Sequence, residues 1–159
     1  MKSQRLKDTE KRHLMRVLID ADGCPVVDLA VCLSREYGVE VFLVCDCAHE
    51  FTRAGAVTLV VSKGADSADF ALVNRVEPGD LVVTQDYGLA AMCLARRALV
   101  IDQNGRPYTE ENIDGLLLAR HTARKIRSGG GRLRGPSKRT RQQDAAFERT
   151  LRTLLGSNA

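Results

Sequence analysis

The sequence predicts an α/β fold: a three-layer domain with a parallel sheet and C-terminal helices. Five short runs rich in Val, Ile and Leu recur, at residues 15–20, 39–45, 57–61, 81–84 and 98–102. They are apolar on both faces, as in parallel strands covered by helices on each side. Helical stretches alternate with them in the order βα-β-βαβαβ, which closes near residue 105.

Each element has a local reason. MRVLI is a strand that stops at Asp20, and Gly23 permits a tight turn behind it. Residues 25–37 then read as a helix, with Pro25 in its first turn and Gly38 just past its end. The run 67–76 ends before the turn signal Glu77-Pro78-Gly79-Asp80. Residues 87–96 are small and apolar and predict a closely packed helix. Thr109 predicts the cap of a helix over 110–127, with Glu110 and Glu111 favourably placed in its first turn. The segment SGGGRLRGPSK has no apolar period and reads as a mobile loop. Thr140 and Gln143 form a capping-box signature. Phe147, Leu151, Leu154 and Leu155 make the apolar stripe of a last helix that should dock on the body.

With 159 residues, the chain is expected to form one domain, residues 14–156, preceded by a disordered extension over 1–13. The longest apolar runs are strand-length, so no transmembrane helix is expected. Five cysteines, an odd number inside regular elements, suit reduced thiols in a cytoplasmic protein. Charge is unevenly placed. Residues 120–141 hold nine of the 24 Lys and Arg and none of the 20 Asp and Glu, so the rest of the chain carries −5. An acidic body with a basic segment suits a polyanionic partner; a solvated helix face is the plainer explanation.

Four strand-end acids carry the chemistry. Asp20 and Asp22 follow the first strand, Asp66 the third and Asp86 the fourth. In an open parallel sheet these ends share one edge, where ligands bind. Asp69, one turn beyond Asp66, faces the same helix end. Each acid by itself is also a good helix cap. Together they conflict, because two bare carboxylates about 5 Å apart repel by about 3 kcal/mol at an effective dielectric of about 20. A divalent cation removes that repulsion, and Mg²⁺ or Mn²⁺ prefers such hard oxygen donors. One or two such ions could activate water against a phosphodiester. The reading requires Asp20 and Asp86 to converge, with no arginine already neutralising them. Thr84 is placed to bind a phosphate or a metal-bound water. Arg120, His121, Arg124, Lys125, Arg127, Arg132 and Arg134 would grip the polyanion, a face continued by Lys138, Arg139 and Arg141.

The segments IDADGCP, GADSADFALV, VVTQDYGLAA, YTEENID and RH…GGGR…GP resemble the YaiI/YqxD family of bacterial proteins over nearly the whole chain past residue 14. That family is similar to PIN-like nuclease domains. The resemblance implies a parallel α/β domain whose acids bind Mg²⁺ or Mn²⁺ for cleavage of RNA or DNA. By that resemblance Asp20 matches the acid after the first strand and Asp86 the acid of the T-x-D segment. Asp66 or Asp69 stands for the middle acid, often Glu in PIN domains, and Asp22 is additional.

Two rivals draw on the same residues. Asp20-Ala-Asp22 also resembles the DxD opening of haloacid-dehalogenase-type phosphatases, with Asp20 as nucleophile. Cys24 and Pro25 depart from that pattern. Cys45, Cys47 and His49 alternate and could share zinc, although core packing explains the cysteines more simply. A non-catalytic nucleic-acid or nucleotide-binding module is the third possibility.

Overall fold

The parallel sheet is built from short strands whose alternate side chains enter two separate cores. The structure, a computed structural model, describes residues 14–46, 52–61, 67–131 and 137–157. The elements are β1 (Val17–Asp20), α1 (Val27–Glu36), β2 (Val41–Asp46), β3 (Ala56–Val61), α2 (Ser67–Arg75), β4 (Leu81–Val83), α3 (Tyr87–Ala95), β5 (Leu99–Ile101), β6 (Pro107–Tyr108), α4 (Glu110–Ser128) and α5 (Arg141–Gly156). Strand order is β3-β2-β1-β4-β5-β6. The first five run parallel, and β6 pairs antiparallel with β5.

Alternation along each strand sorts the layers. Val17 and Ile19 of β1, Leu43 of β2 and Val83 of β4 face a core completed by α1 and by Phe147, Leu151 and Leu155 of α5. Leu18, Val44, Val82 and Val100 face the other core, completed by α2, α3 and Ile113 of α4. All three side chains of β4 are fully buried, as expected of a central strand.

The expected strands and helices are present within a residue or two at their ends, with two exceptions. Helix α1 begins at Val27, not in the turn that contains Pro25, and its N-cap Val26 supplies no side-chain bond. Pro25 belongs to the preceding turn. Strand β6 has two residues and starts with a proline, so it carries no period to read. Both expected caps form. Thr109 and Thr140 each complete a reciprocal capping box, with Asn112 and Gln143. No described helix is long and apolar enough to cross a membrane.

Helix α5 is fixed to the sheet by more than its apolar stripe. Gly105, at φ +77°, lies where a Cβ would strike Ala146 O at 2.8 Å and Thr150 Oγ1 at 2.6 Å. Arg139 donates to Gln103 O (2.6 Å), Asn104 Oδ1 (2.9 Å) and Asp144 Oδ1 (2.7 Å). Arg139 therefore clamps α5 to the loop after β5 and is not part of a polyanion-facing row, as its place in the basic segment suggests.

The opposite edge of the sheet holds a buried acid that is fully partnered. Asp80 has no exposed surface and accepts from Arg16 N (3.2 Å), Arg16 Nε (3.2 Å), Arg16 Nη2 (2.6 Å) and Glu77 N (2.9 Å). The Asp80 carboxylate in turn raises the pKa of Arg16. Truncating one partner of such a pair leaves a buried charge uncompensated. Arg16→Ala, which strands the buried Asp80 charge, is expected to lower unfolding stability by about 3–5 kcal/mol, read by urea denaturation at pH 7. A loss below about 1 kcal/mol would show that this pair does not hold the edge.

Candidate active site

Strand order reverses between β1 and β4, and that switch opens a crevice beyond their C-terminal ends. Asp20, Asp22, Gly23, Gln85, Asp86, Tyr87 and Arg120 line a shallow cleft of about 420 Å³ there. The loop after β4 is tied to the loop after β1 by Gln85 Nε2, which donates to Gly23 O (2.8 Å). Gly23 takes φ +71° in the turn closed by Cys24 N on Ala21 O (3.1 Å), a backbone state that favours glycine.

Thr84 joins the two central acids. Its Oγ1 donates to Asp20 Oδ2 (2.9 Å) and accepts from Asp86 N (3.0 Å). Tyr108 OH donates to Thr84 O (3.2 Å) from behind. Thr84 is 1% exposed, so it does not offer its hydroxyl to a phosphate or a metal-bound water as the sequence suggests. Its one proton and an acceptor lone pair are spent on holding Asp20 and Asp86 in register.

Asp86 caps α3. Its Oδ1 accepts from Gly88 N (2.8 Å) and Leu89 N (3.2 Å). Arg120 Nη1 approaches the same oxygen at 3.3 Å. Helical spacing explains the meeting: Arg120 lies two turns beyond Ile113, which buries that face of α4 against the core. An arginine thus reaches one of the two acids, against the expectation that neither would be neutralised. The contact is long for a charge-assisted bond, and its side chains are 37% and 35% exposed, so it contributes about 0–1 kcal/mol. Among the described residues no arginine pairs with Asp20.

The remaining acids divide. Asp22 Oδ2 accepts from Asp46 N (2.8 Å), which anchors the turn to the end of β2. Asp22 therefore stands at the cleft wall, with one oxygen committed to backbone. Asp69 sits in the first turn of α2, and its charge reaches Asp20. Asp66 lies outside the described residues, as do Cys47, His49, Arg132 and Arg134. Cys45 is buried in β2, with Sγ 4.0 Å from Leu59 O, as core packing predicts.

The comparisons with known proteins agree with the resemblance to the YaiI/YqxD family. Residues 18–157 match the family described as "Uncharacterized BCR, YaiI/YqxD family". The chain belongs to the YaiI/YqxD family. It is 62% identical over 141 residues to a UPF0178 protein of Exiguobacterium sibiricum, covering 89% of this chain and 96% of that one. It is 45% identical over 137 residues to a UPF0178 protein of Ruminiclostridium cellulolyticum, covering 86% and 90% of the two chains. A UPF0178 protein of Natranaerobius thermophilus is 43% identical over 141 residues, with 89% and 96% covered. No solved structure matches it.

In this YaiI/YqxD chain Asp20 is the acid whose setting disfavours its charge. Burial pushes the Asp20 pKa from 3.8 up to about 6; the Thr84 hydrogen bond opposes the shift, and the charges of Asp69, Asp86 and Asp22 add to it. Cys24 beside them is pushed up to about 11 by burial, which keeps it a thiol and unsuited to act as a nucleophile.

Among the described residues no three His, Cys, Asp or Glu side chains come together as a preformed metal cage. Two carboxylates do present oxygens without a hydrogen bond among those residues, Asp20 Oδ1 and Asp86 Oδ2. That donor set fits Mg²⁺ or Mn²⁺ of the kind held by one or two carboxylates, with waters and substrate phosphate completing the shell. It does not fit a fully protein-coordinated ion.

His121, Arg124, Lys125 and Arg127 are exposed on the C-terminal half of α4. Arg124 and Arg127 follow Arg120 at helical spacings of four and seven, so the three form one row leading away from the cleft. Gln85 and Tyr87 were not among the residues expected here. Their only sequence signal is adjacency to Asp86.

The Asp20 shift has a definite sign. Folded Asp20 binds its proton more tightly than unfolded Asp20, so stability falls as pH rises from 3.8 to about 6 and stays reduced above that. In metal-free buffer Asp20→Asn is expected to melt above the parent at pH 7.5, with the gap closing by about pH 4. A gap of the same size at both pH values would contradict the buried-carboxylate account.

Proposed function

We propose that this chain is a metal-dependent phosphodiesterase of PIN-like type that cleaves nucleic acid, with RNA as the expected substrate. The observation that supports it most is the meeting of Asp20 and Asp86, from separate βα units, across one hydroxyl at the switch point of the sheet.

In this reading Asp20 and Asp86 hold Mg²⁺ or Mn²⁺, Asp22 stands at the wall, and Asp66 or Asp69 supplies the third charge. The bound ion would supply an activated water and stabilise the leaving oxygen of a phosphodiester. The protein's own part is placement. Thr84 fixes the spacing of the two acids, and Gln85 fixes the two loops that carry them. Arg120, with Arg124 and Arg127 behind it, guides the phosphate backbone towards the acids. A phosphate arriving along that row can take the Arg120 guanidinium, because Asp86 Oδ1 keeps its two backbone donors. Contacts of this kind hold backbone rather than base sequence.

One observation favours a second reading, a non-catalytic nucleic-acid or nucleotide-binding module. Arg120 already sits on Asp86, and the described acids do not form a three-ligand cage. The two readings separate on metal dependence. With a labelled single-stranded RNA, cleavage is expected with Mn²⁺ and abolished by EDTA. Asp20→Asn and Asp86→Asn should each lower turnover by about a hundredfold or more, the order lost with one charge-stabilising group. Asn preserves the cap at position 86, so folding is retained. Full activity in Asp20→Asn would overturn the enzymatic reading, and salt-sensitive binding that survives EDTA without cleavage would establish the second. Arg124→Ala is expected to flatten the dependence of log affinity on log salt by about one unit.

A further inference from the structure

Carboxylates and a guanidinium account for a metal and a phosphate, but the same cleft has an aromatic wall that serves neither. Tyr87 lines it beside Asp20, Asp86 and Arg120. Its ring is held in place: Tyr87 packs edge-on against Tyr108, with centroids 5.9 Å apart and planes at 66°. Tyr108 is 6% exposed and hydrogen-bonded to Thr84 O, so both the ring and the acids are positioned from Thr84. Part of Tyr87 packs on the core of α2, α3 and α4, while the residue as a whole stays half-buried. The chain has three tyrosines and no tryptophan, and two of the three meet at this one place. The next residue, Gly88, keeps the corner open. A Cβ there would come within 3.3 Å of Asp86 Oδ1 and 3.9 Å of Arg120 Nη1.

A partly exposed ring of fixed orientation beside Asp20, Asp86 and Arg120 complements one chemical group above others, the face of a nucleobase. Every base has such a face, so stacking tolerates sequence while requiring that the base be unpaired and accessible. A base inside a duplex has its faces covered by its neighbours.

We propose that Tyr87 is the stacking residue of a one-base subsite beside the acidic cleft, which selects single-stranded nucleic acid. The inference rests on the nucleic-acid reading above. It deepens that reading from a polyanion to a strand with an unstacked base next to the phosphate at Asp20 and Asp86. One ring provides for one base, so affinity should depend on the base being present and little on which base it is.

The test compares a fluorescein-labelled ten-nucleotide oligouridylate with the same oligomer made abasic throughout, which keeps every phosphate. Binding to the full chain is followed by anisotropy and cleavage by gel, both with Mn²⁺. The parent should bind the intact oligomer about tenfold more tightly than the abasic one. Tyr87→Phe should keep that preference, and Tyr87→Ala should abolish it while leaving the abasic affinity unchanged. Melting temperatures of the variants check folding, and Tyr87→Leu, which keeps apolar bulk but has no aromatic face and should lose the preference, decides the matter if Tyr87→Ala does not fold. Should the parent cut both oligomers yet bind them equally, or Tyr87→Ala keep the preference, the subsite is overturned and the phosphodiesterase reading stands. Should the parent neither bind nor cut either oligomer, the reading beneath it falls, and the subsite with it.

Discussion

The hydroxyl of Thr84 lies between two acids that arrive from different parts of the chain, and the architecture of the cleft depends on that one group. It donates to the Asp20 carboxylate and accepts from the backbone of Asp86. A hydroxyl is the smallest side-chain group that can donate in one direction and accept in another. It also opposes the burial that drives Asp20 towards its neutral form. Because Thr84 directly follows a fully buried central strand and is itself buried, the spacing it sets is inherited from the core.

The two edges of the sheet treat a buried carboxylate in opposite ways. At the edge where β4 begins, Asp80 takes three bonds from Arg16 and one from Glu77 N, and no surface remains. At the edge where β1 ends, Asp20 takes one bond from a hydroxyl and feels three other acids. The first arrangement satisfies a charge within the protein. The second, among the described residues, gives the charge one donor and three like charges. That contrast, within one sheet and one solvent, is why the acidic edge is read as a site and the other as structure.

Much of the fold was legible because its signals are local. Runs such as VLI and LVV, apolar on both faces, mark parallel strands whatever their neighbours are. Thr109 and Thr140 announce their helices through bonds that close within four residues. Strand β6 escaped because two residues beginning with proline have no period. The convergence of Asp20 and Asp86 was also legible, since strand ends in a parallel sheet share an edge. The role of Thr84 was not: its exposure depends on Tyr108 and β5 closing behind it. Charge counting misassigned Arg139 for a similar reason, because its three partners lie on a loop and a helix that meet only in the folded chain.

Residue order alone determined the layered α/β class, the helix caps and the acids that end the strands, because each follows from period, spacing or short-range hydrogen bonds, and whole-segment resemblance gave the family. Tertiary structure decided which of those acids share a cleft, which are tied to backbone, and that Arg120 stands beside Asp86. It also brought Tyr87 and Tyr108 together beside Thr84. Those outcomes depend on distances between segments far apart in the chain, and such distances are set by how the two cores pack against the sheet.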